Sequence, residues 1–572
     1  MIRLMFGGLV IATWLYQFAG HAIWRYLPWI SADKTGFPLI LIAVSIIGFP
    51  LLMALRPRAA SPKTSLLSRR EDLPAIGMVL AIGLVFWAVF AMPWTHLALH
   101  TRGDELFHNE RTRIEYDYWR QLLGAAPPME FPSAHFIFYP SGAYFLNTLL
   151  AWLQGDAGSI VFQRQSQLLW FMLVPMASYS LCRILSISRR TAILFAAIPA
   201  VSPLLASFTV SYYIELPYVP LELAAFAWLL IAERESDKPA LWLAVGMASA
   251  ATLIRESVLP VAFFIVCAAI WMHIRHTAKP LKSFWFAIWA ILAGLLPCIA
   301  YSLVKRQFAG PASTRLSLEN FLNQDWHLLA LYGLVYLNAI MLALVVYGWR
   351  CRSTDTRITA LAAFGSMGGS LLMYGLFDAG WMPWSRNFAL LIAPLLVVAA
   401  IASAKISSTN PNGAGNRFLS LQATLAYACI FNIGVAAVWF KDDRMFHENE
   451  AIFDLAPAME KLAQKGQAIK IYEHRPPFMR NQLPLPPQLE LINVAPEVNR
   501  FMPLQAIEKH LPSDAHWILY YYYRNTAAPS RLHAVPQAPR EAIDTSRFAI
   551  RLTTDDPFSQ GRIGVALLER MR

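Results

Sequence analysis

Two adjacent carboxylates, Asp104-Glu105, follow the apolar run Ile76 to Trp94 and open a long loop. Like charges side by side raise each other's pKa and cost energy, so a paired acid at a membrane face needs a reason. General-base chemistry and metal binding both supply one. A plainer reading also stands: Asp104 begins a helix and accepts backbone N–H bonds there, with Glu105 a first-turn acid favoured by the helix dipole. Other charged residues sit where apolar runs end. Glu215 lies in the tight turn Tyr212-Tyr213-Ile214-Glu215, as a cavity acid or an ordinary solvated one. Arg255-Glu256 separates two short apolar runs, and charges at membrane depth are costly and usually functional, though a mutual ion pair or snorkelling also fits. Arg386 lies in the loop Trp381-Met382-Pro383-Trp384-Ser385-Arg386-Asn387, whose tryptophans suit an interfacial belt or a sugar platform. His108 and His135 share the acidic loop as ligand or base candidates; His108 and Glu110 fall on different helix faces.

The elements that must hold these residues are membrane helices. The 572 residues are 56% hydrophobic and 15% charged, with mean hydropathy +0.42. A soluble domain does not carry that balance. Windows of ~20 apolar residues mark about thirteen spans. They lie near 4–23, 38–55, 75–94, 160–184, 191–210, 214–232, 239–254, 257–273, 283–304, 327–348, 358–377, 388–404 and 419–440. Lys and Arg fill every second short loop, as at Arg56 to Arg70, Arg189-Arg190, Arg234 to Lys238, Arg275 to Lys282 and Arg350 to Arg357. These loops read as cytoplasmic, as does the N-terminus, which sets the Asp104-Glu105 loop and the C-terminal tail outside. The net charge of +12 is largely this topology signal and no nucleic-acid footprint. The first span reads as an anchor, because its apolar region lacks a clean cleavage site. The five cysteines form neither a disulfide framework nor a zinc spacing. No Gly-rich nucleotide loop occurs.

Three parts follow. Residues 1–73 hold the N-terminal helices and a basic loop, 74–440 the main membrane domain, and 441–572 a polar, Pro-rich tail. The outer loop 95–158 carries two interfacial helices. The first, Phe107 to Leu123, sets Ile114, Tyr118 and Leu122 on one face against Glu110, Arg113, Asp117 and Arg120. The second is Ala143 to Leu153, after the helix breakers Pro127, Pro128 and Pro132. The tail reads as small α/β, with helices at Glu448 to Lys465 and Pro503 to Leu511 and strands at 468–472, 517–523, 548–552 and 563–568. The fold class is therefore a polytopic α-helical membrane protein with a small α/β extracytoplasmic domain.

A span, an outer Asp-Glu pair, a surface helix, the Tyr139-Pro140 element and a second short helix, in that order, resemble the GT-C superfamily of integral-membrane glycosyltransferases. The likeness is to the protein-mannosyltransferase and aminoarabinose-transferase kind. Gly246 to Glu256 (GMASAATLIRE) resembles that family's small-residue span ending in a basic-acidic pair, and Ser211 to Pro217 (SYYIELP) its second outer loop. The resemblance covers roughly residues 70–440. The family's acidic loop usually follows the first span; here it follows the third, which implies two additional N-terminal helices.

The resemblance implies an enzyme of the bacterial inner membrane that moves a sugar from a polyprenyl-phosphate donor to an outer glycan, lipid or protein. Asp104 becomes the base for the acceptor hydroxyl, and Glu105 orients the acceptor or a metal. Arg255 and Arg386 bind the donor phosphate through forked hydrogen bonds. Glu215, Glu256, His108 and His135 are acceptor or metal candidates. Mg²⁺ or Mn²⁺ on Asp104 or Glu105 with Glu215 suits such carboxylates, and the family contains metal-dependent and metal-independent members alike. Two alternatives stay open: a lipid-linked sugar flippase, which would place ionisable groups mid-membrane as only Glu222 approaches here, and an O-antigen-type ligase or polymerase.

Overall fold

A computed structural model describes residues 72–96, 103–122, 144, 147–148, 151, 155, 160–210, 214–277, 279–299, 318–322, 326–350, 356–376, 385–409, 421–440, 461, 469–474, 488–494, 503–523, 543–553 and 563–571. The spans expected near 4–23 and 38–55 and the helix 448–465, apart from Lys461, lie outside them.

The chain is mainly helical. α1 (Leu73–Phe86) runs on through a π-turn (Trp87–Ala91) and a 3-10 turn (Met92–His96). After it come α2 (Gly103–Leu122), α3 (Ile160–Ile184), α4 (Arg189–Ala200), α5 (Pro203–Val210), α6 (Tyr218–Glu235) and α7 (Lys238–Thr252). A 3-10 turn, Glu256–Val258, leads into α8 (Leu259–His276) and then α9 (Pro280–Gly294). Among the described residues, α10 (Leu318–Leu322), α11 (Trp326–Tyr336), α12 (Ala339–Arg350), α13 (Arg357–Leu376), α14 (Ala389–Thr409) and α15 (Leu421–Trp439) follow.

Among the described residues, five helices are long and apolar enough to cross a membrane, or up to seven if each of two bent pairs counts as one span. Each expected span from 75–94 onward meets a helix or a helix pair. Two of them are not straight. The expected 191–210 bends by 45° between α4 and α5, and 327–348 turns by 101° between α11 and α12. The second break has a visible cause. Asn338 has φ +68°, a left-handed conformation that Asn tolerates better than most residues. Its Oδ1 accepts from the Ile340 N–H at 3.0 Å, and its Nδ2 donates to the Ala428 carbonyl and to Asn432 Oδ1, each at 2.8 Å. Asn432 in turn donates to the Ile198 carbonyl at 3.0 Å. A buried backbone break needs such partners, because unsatisfied polar groups cost several kcal/mol in an apolar interior.

Small residues bring the helices close. Gly365 and Gly369 of α13 face Phe264 of α8, and a Cβ at either would lie within 3.0 Å of that ring. α6 and α7 form a hairpin over a tight turn with Ser236 at φ +55°, and α7 is buried on all sides from Leu243 to Thr252, with the small residues Ala244, Ala248, Ser249, Ala250 and Ala251 among those enclosed.

Contacts sort the helix ends into two sets. Asp72 at the start of α1 meets Tyr179 and Arg183 near the end of α3. Arg234 near the end of α6 meets the Ile184 carbonyl, Glu233 meets the start of α13, and Ser236 meets His276 at the end of α8. These make one end of the bundle, called here the Glu233 end. The opposite ends of the same helices, with Thr95, Arg164, Glu215 and Arg255, make the other, the Arg255 end.

The tail forms a five-stranded sheet in the order β2-β1-β3-β5-β4. The strands are β1 (Ile469–Glu473), β2 (Leu489–Asn493), β3 (Trp517–Tyr523), β4 (Phe548–Thr553) and β5 (Ile563–Arg570), with helix α16 (Leu504–Glu508) before β3. β1 runs parallel to β2 and β3, while β5 runs antiparallel to β3 and β4. Leu504, Ile507, Ile518, Tyr520, Phe548 and Leu568 fill one core. β2 is not among the strands expected from sequence. Its residues, Leu-Glu-Leu-Ile-Asn, sit below a Pro-rich run that masks a short strand signal.

Candidate functional site

The hairpin of α6 and α7 creates the first cluster. Glu215 stands in the turn 214–217 just before α6, and Arg255 stands just beyond α7 in extended backbone, φ −153° and ψ 128°. Because the two helices are antiparallel neighbours, the entrance of one lies beside the exit of the other. Arg255 Nη1 and Glu215 Oε1 form an ion pair with both residues buried. The solvated-turn reading of Glu215 is therefore wrong: the residue is 1% exposed. Burying two charges costs several kcal/mol per ion, and mutual attraction offsets that only in good geometry. The Pro217 and Pro220 rings preset the first turn of α6, and an acid ahead of a helix N-terminus also suits its dipole. Glu256, next in chain, begins the 3-10 turn and is half-buried.

The second cluster belongs to α2. This helix starts at Gly103, four residues earlier than expected, so Asp104 and Glu105 lie in its first turn. Their side chains are outside the described residues. Of the expected apolar face Ile114 is buried, and Arg113 opposite it is exposed; the side chains of Tyr118 and Leu122 are outside the described residues. His108, Arg111, Thr112, Glu115 and Tyr116 are buried as well, so the buried residues described on α2 are mostly polar. The polar groups are satisfied in place. His108 Nδ1 and the Tyr144 hydroxyl are 2.7 Å apart. Arg111 pairs with Glu115 at 2.7 Å, and its guanidinium lies 5.4 Å from the centre of the Tyr144 ring. The Thr112 hydroxyl donates to the His108 carbonyl at 3.1 Å.

A third buried cation braces the same end. Arg164, in the first turns of α3, is wholly buried and donates to the Thr95 carbonyl at 3.0 Å. Nearby, Ser166 donates to Asn147 Oδ1 at 2.8 Å, tying the outer loop to α3.

The structure thus brings Glu215 to Arg255, and His108 to Tyr144 beside Arg111 and Glu115. Arg386 lies in a 3-10 turn, Ser385–Phe388, that enters α14 at the Arg255 end; its side chain is not among the described ones. His135, Tyr139, Lys305, Arg306, Trp381 and Trp384 lie outside the described residues. Arg111, Glu115 and Arg164 were missed in the sequence reading. A signal existed: Arg164 is a charge within the span expected at 160–184, and Arg111 and Glu115 are one turn apart on the face of His108.

One oxygen of the Glu215 carboxylate, Oε1, is paired with the Arg255 guanidinium. Among the described residues, no three His, Cys, Asp or Glu side chains gather as a ligand set.

No protein-family profile and no curated protein sequence matches this chain. Two solved structures are similar to it over most of their length. One is ArnT from Cupriavidus metallidurans bound to undecaprenyl phosphate, at 11% identity and TM-score 0.46, covering 86% of this chain and 97% of that one. The other is ArnT from the same organism in the apo state, at 11% identity and TM-score 0.45, covering 87% and 98%.

Proposed function

We propose that this chain transfers a sugar from a polyprenyl-phosphate-linked donor to a cell-envelope glycan, lipid or protein, at the outer face of a bacterial inner membrane. The observation that carries the reading is the buried Glu215–Arg255 pair, at the bundle end to which α1 and the acid pair on α2 also lead. A buried arginine paired with a carboxylate is a candidate phosphate site. A lipid phosphate offers the guanidinium two oxygens in the fork geometry that a carboxylate also uses.

In the reaction, the acceptor oxygen attacks the anomeric carbon. The bond from that carbon to the donor phosphate oxygen breaks, and the electron pair leaves with the polyprenyl phosphate. Asp104 takes the acceptor's hydroxyl proton. Arg255 meets the negative charge that grows on the departing phosphate, and Arg386 is the second cation for it. Glu215 keeps the Arg255 side chain in one place beforehand, so the site spends little on ordering at the moment of transfer. Glu105 orients the acceptor. Glu256 and His135 remain acceptor contacts in this scheme. No step passes through a metal.

The test is turnover by the purified protein in nanodiscs, offered a panel of polyprenyl-phosphate sugars with envelope acceptor. Wild type is compared with Asp104→Asn and Arg255→Gln at matched folding. Sugar transfer from one donor, lost by ~100-fold or more in each variant, is the expected result. Transfer that survives Asp104→Asn removes the base assignment. Lipid movement across the bilayer without transfer overturns the enzyme reading in favour of a flippase.

A further inference from the structure

Asp104, His108, Arg111 and Glu115 follow one another on α2 at intervals of four, three and four residues. At 3.6 residues per turn this is a single stripe along one helix face. Three of the four are described in full and are buried, at 1%, 3% and 0% exposure. An inward stripe of ionisable groups is expensive unless each has a partner. Here one aromatic side chain serves two of them. The Tyr144 hydroxyl lies 2.7 Å from His108 Nδ1, and the face of the same ring lies under the Arg111 guanidinium. Tyr144 is itself wholly buried. Its ring is held at two points, and so it fixes the imidazole.

We propose that His108 is a positioning residue for the acid at Asp104, with Tyr144 as its anchor. The proposal rests on the reading of Asp104 as base. When the phenol O–H donates into Nδ1, the neutral imidazole carries its proton on Nε2. The ring then presents a donor, one helical turn along the stripe from the acid. A donor at that spacing favours the ionised carboxylate and restricts its rotamers, both of which a base needs before it accepts a proton. Glu115 has a matching duty: by pairing with Arg111 at 2.7 Å it keeps that cation from drawing the acid further along the stripe. His108 forms no bond to substrate in this role. The bland alternative is a buried histidine satisfied by a tyrosine, with no bearing on the acid. Coupling between positions 104 and 108 separates the two.

The experiment is steady-state transfer kinetics in nanodiscs for wild type, His108→Phe, His108→Gln, Tyr144→Phe, Asp104→Asn and the double variant H108F/D104N, with unfolding midpoints recorded for each. Loss of the donor should lower kcat by ~10–100-fold in His108→Phe, with KM for the lipid donor within about twofold. His108→Gln, which keeps an amide N–H near the Nε2 position, should recover to within about tenfold of wild type, and Tyr144→Phe should lose ~3–10-fold. The double variant should be no slower than Asp104→Asn alone, because a positioned group is already gone. Independent, multiplying losses at 104 and 108 overturn the proposal, as does His108→Gln falling as low as His108→Phe. If His108→Phe does not fold, the Gln and Tyr144→Phe variants carry the test. Wild-type transfer in Asp104→Asn is a separate result: it sinks the base assignment, on which the proposal rests.

Discussion

The two ends of the helical bundle use charge differently. At the Glu233 end, charged side chains mostly satisfy backbone, with one partly exposed ion pair, Asp72–Arg183, beside them. Glu233 accepts from the Ile358 and Thr359 N–H groups and from the Thr359 hydroxyl, at 2.7, 2.9 and 2.7 Å, so a carboxylate from α6 caps α13. Arg234 donates to the Ile184 carbonyl at the last turn of α3, and Arg183 to the Ile187 carbonyl at 2.7 Å. Such contacts close helix termini whose orphan groups must find partners somewhere. At the Arg255 end, Arg164 also bonds a carbonyl, but here the ion pairs have both partners buried: Arg255 with Glu215, and Arg111 with Glu115. A cap has one partner for which it is shaped. An ion pair between side chains can exchange one partner for a ligand of like charge. The first arrangement builds a fold, while the second also leaves room for chemistry.

The sharpest way to break this comparison is to neutralise the pair without leaving a lone charge. Arg255→Gln or Glu215→Gln alone strands a buried ion and should cost about 3–5 kcal/mol, seen as a fall in the unfolding midpoint. The double variant R255Q/E215Q should recover most of that loss, because no uncompensated charge remains. It should still transfer sugar at least ~100-fold slower than wild type. A double variant that is both stable and active would make the pair a purely structural one, and the difference between the two ends would vanish.

At the other end the expected effect is smaller and of another kind. Glu233→Ala removes three hydrogen bonds from the start of α13 and should destabilise the protein by about 1–3 kcal/mol. Transfer per folded molecule should stay within about twofold of wild type. A large loss of kcat at an unchanged unfolding midpoint would show the Glu233 end reaching into the chemistry.

Much of the helical order was legible from sequence, because apolar runs of membrane length are a strong signal and the basic loops alternate with them. Of the site, the types of residue were legible and their partners were not. Glu215 reads as a turn acid until the α6–α7 hairpin folds it onto Arg255, a contact across forty residues that no local spacing encodes. The polar burial on α2 was not legible for a physical reason. Burial there follows the partners available, and Tyr144 and Glu115, set by the fold and by one helical turn, give His108 and Arg111 partners inside. The break at Asn338 is the same lesson in the apolar part: a hydropathy window sees one span, while the left-handed Asn and its bonds to α15 make two helices.

The tail sharpens the comparison from outside the bundle, since its strands hold a titratable group whose shift comes first from burial. Burial pushes the Tyr520 phenol up to about 12, against a smaller opposing hydrogen bond from the Leu504 backbone. The unfolded chain ionises near the ordinary tyrosine value of ~10. The stability this group contributes is therefore complete below pH ~10 and is lost as pH rises through about 12. Tyr520→Phe should flatten the alkaline fall of the tail's unfolding midpoint over that window while changing it little at neutral pH.

The smallest expected change is none. Glu215 is paired with Arg255. If Arg255 is the cation that meets the phosphate, transfer in excess EDTA should stay within about twofold of the untreated protein. A loss reversed by Mn²⁺ or Mg²⁺ but not by Ca²⁺ would return a metal to the acids of α2. Arg255 would then be the partner of Glu215 alone, and the ion pair would belong with the caps of the opposite end.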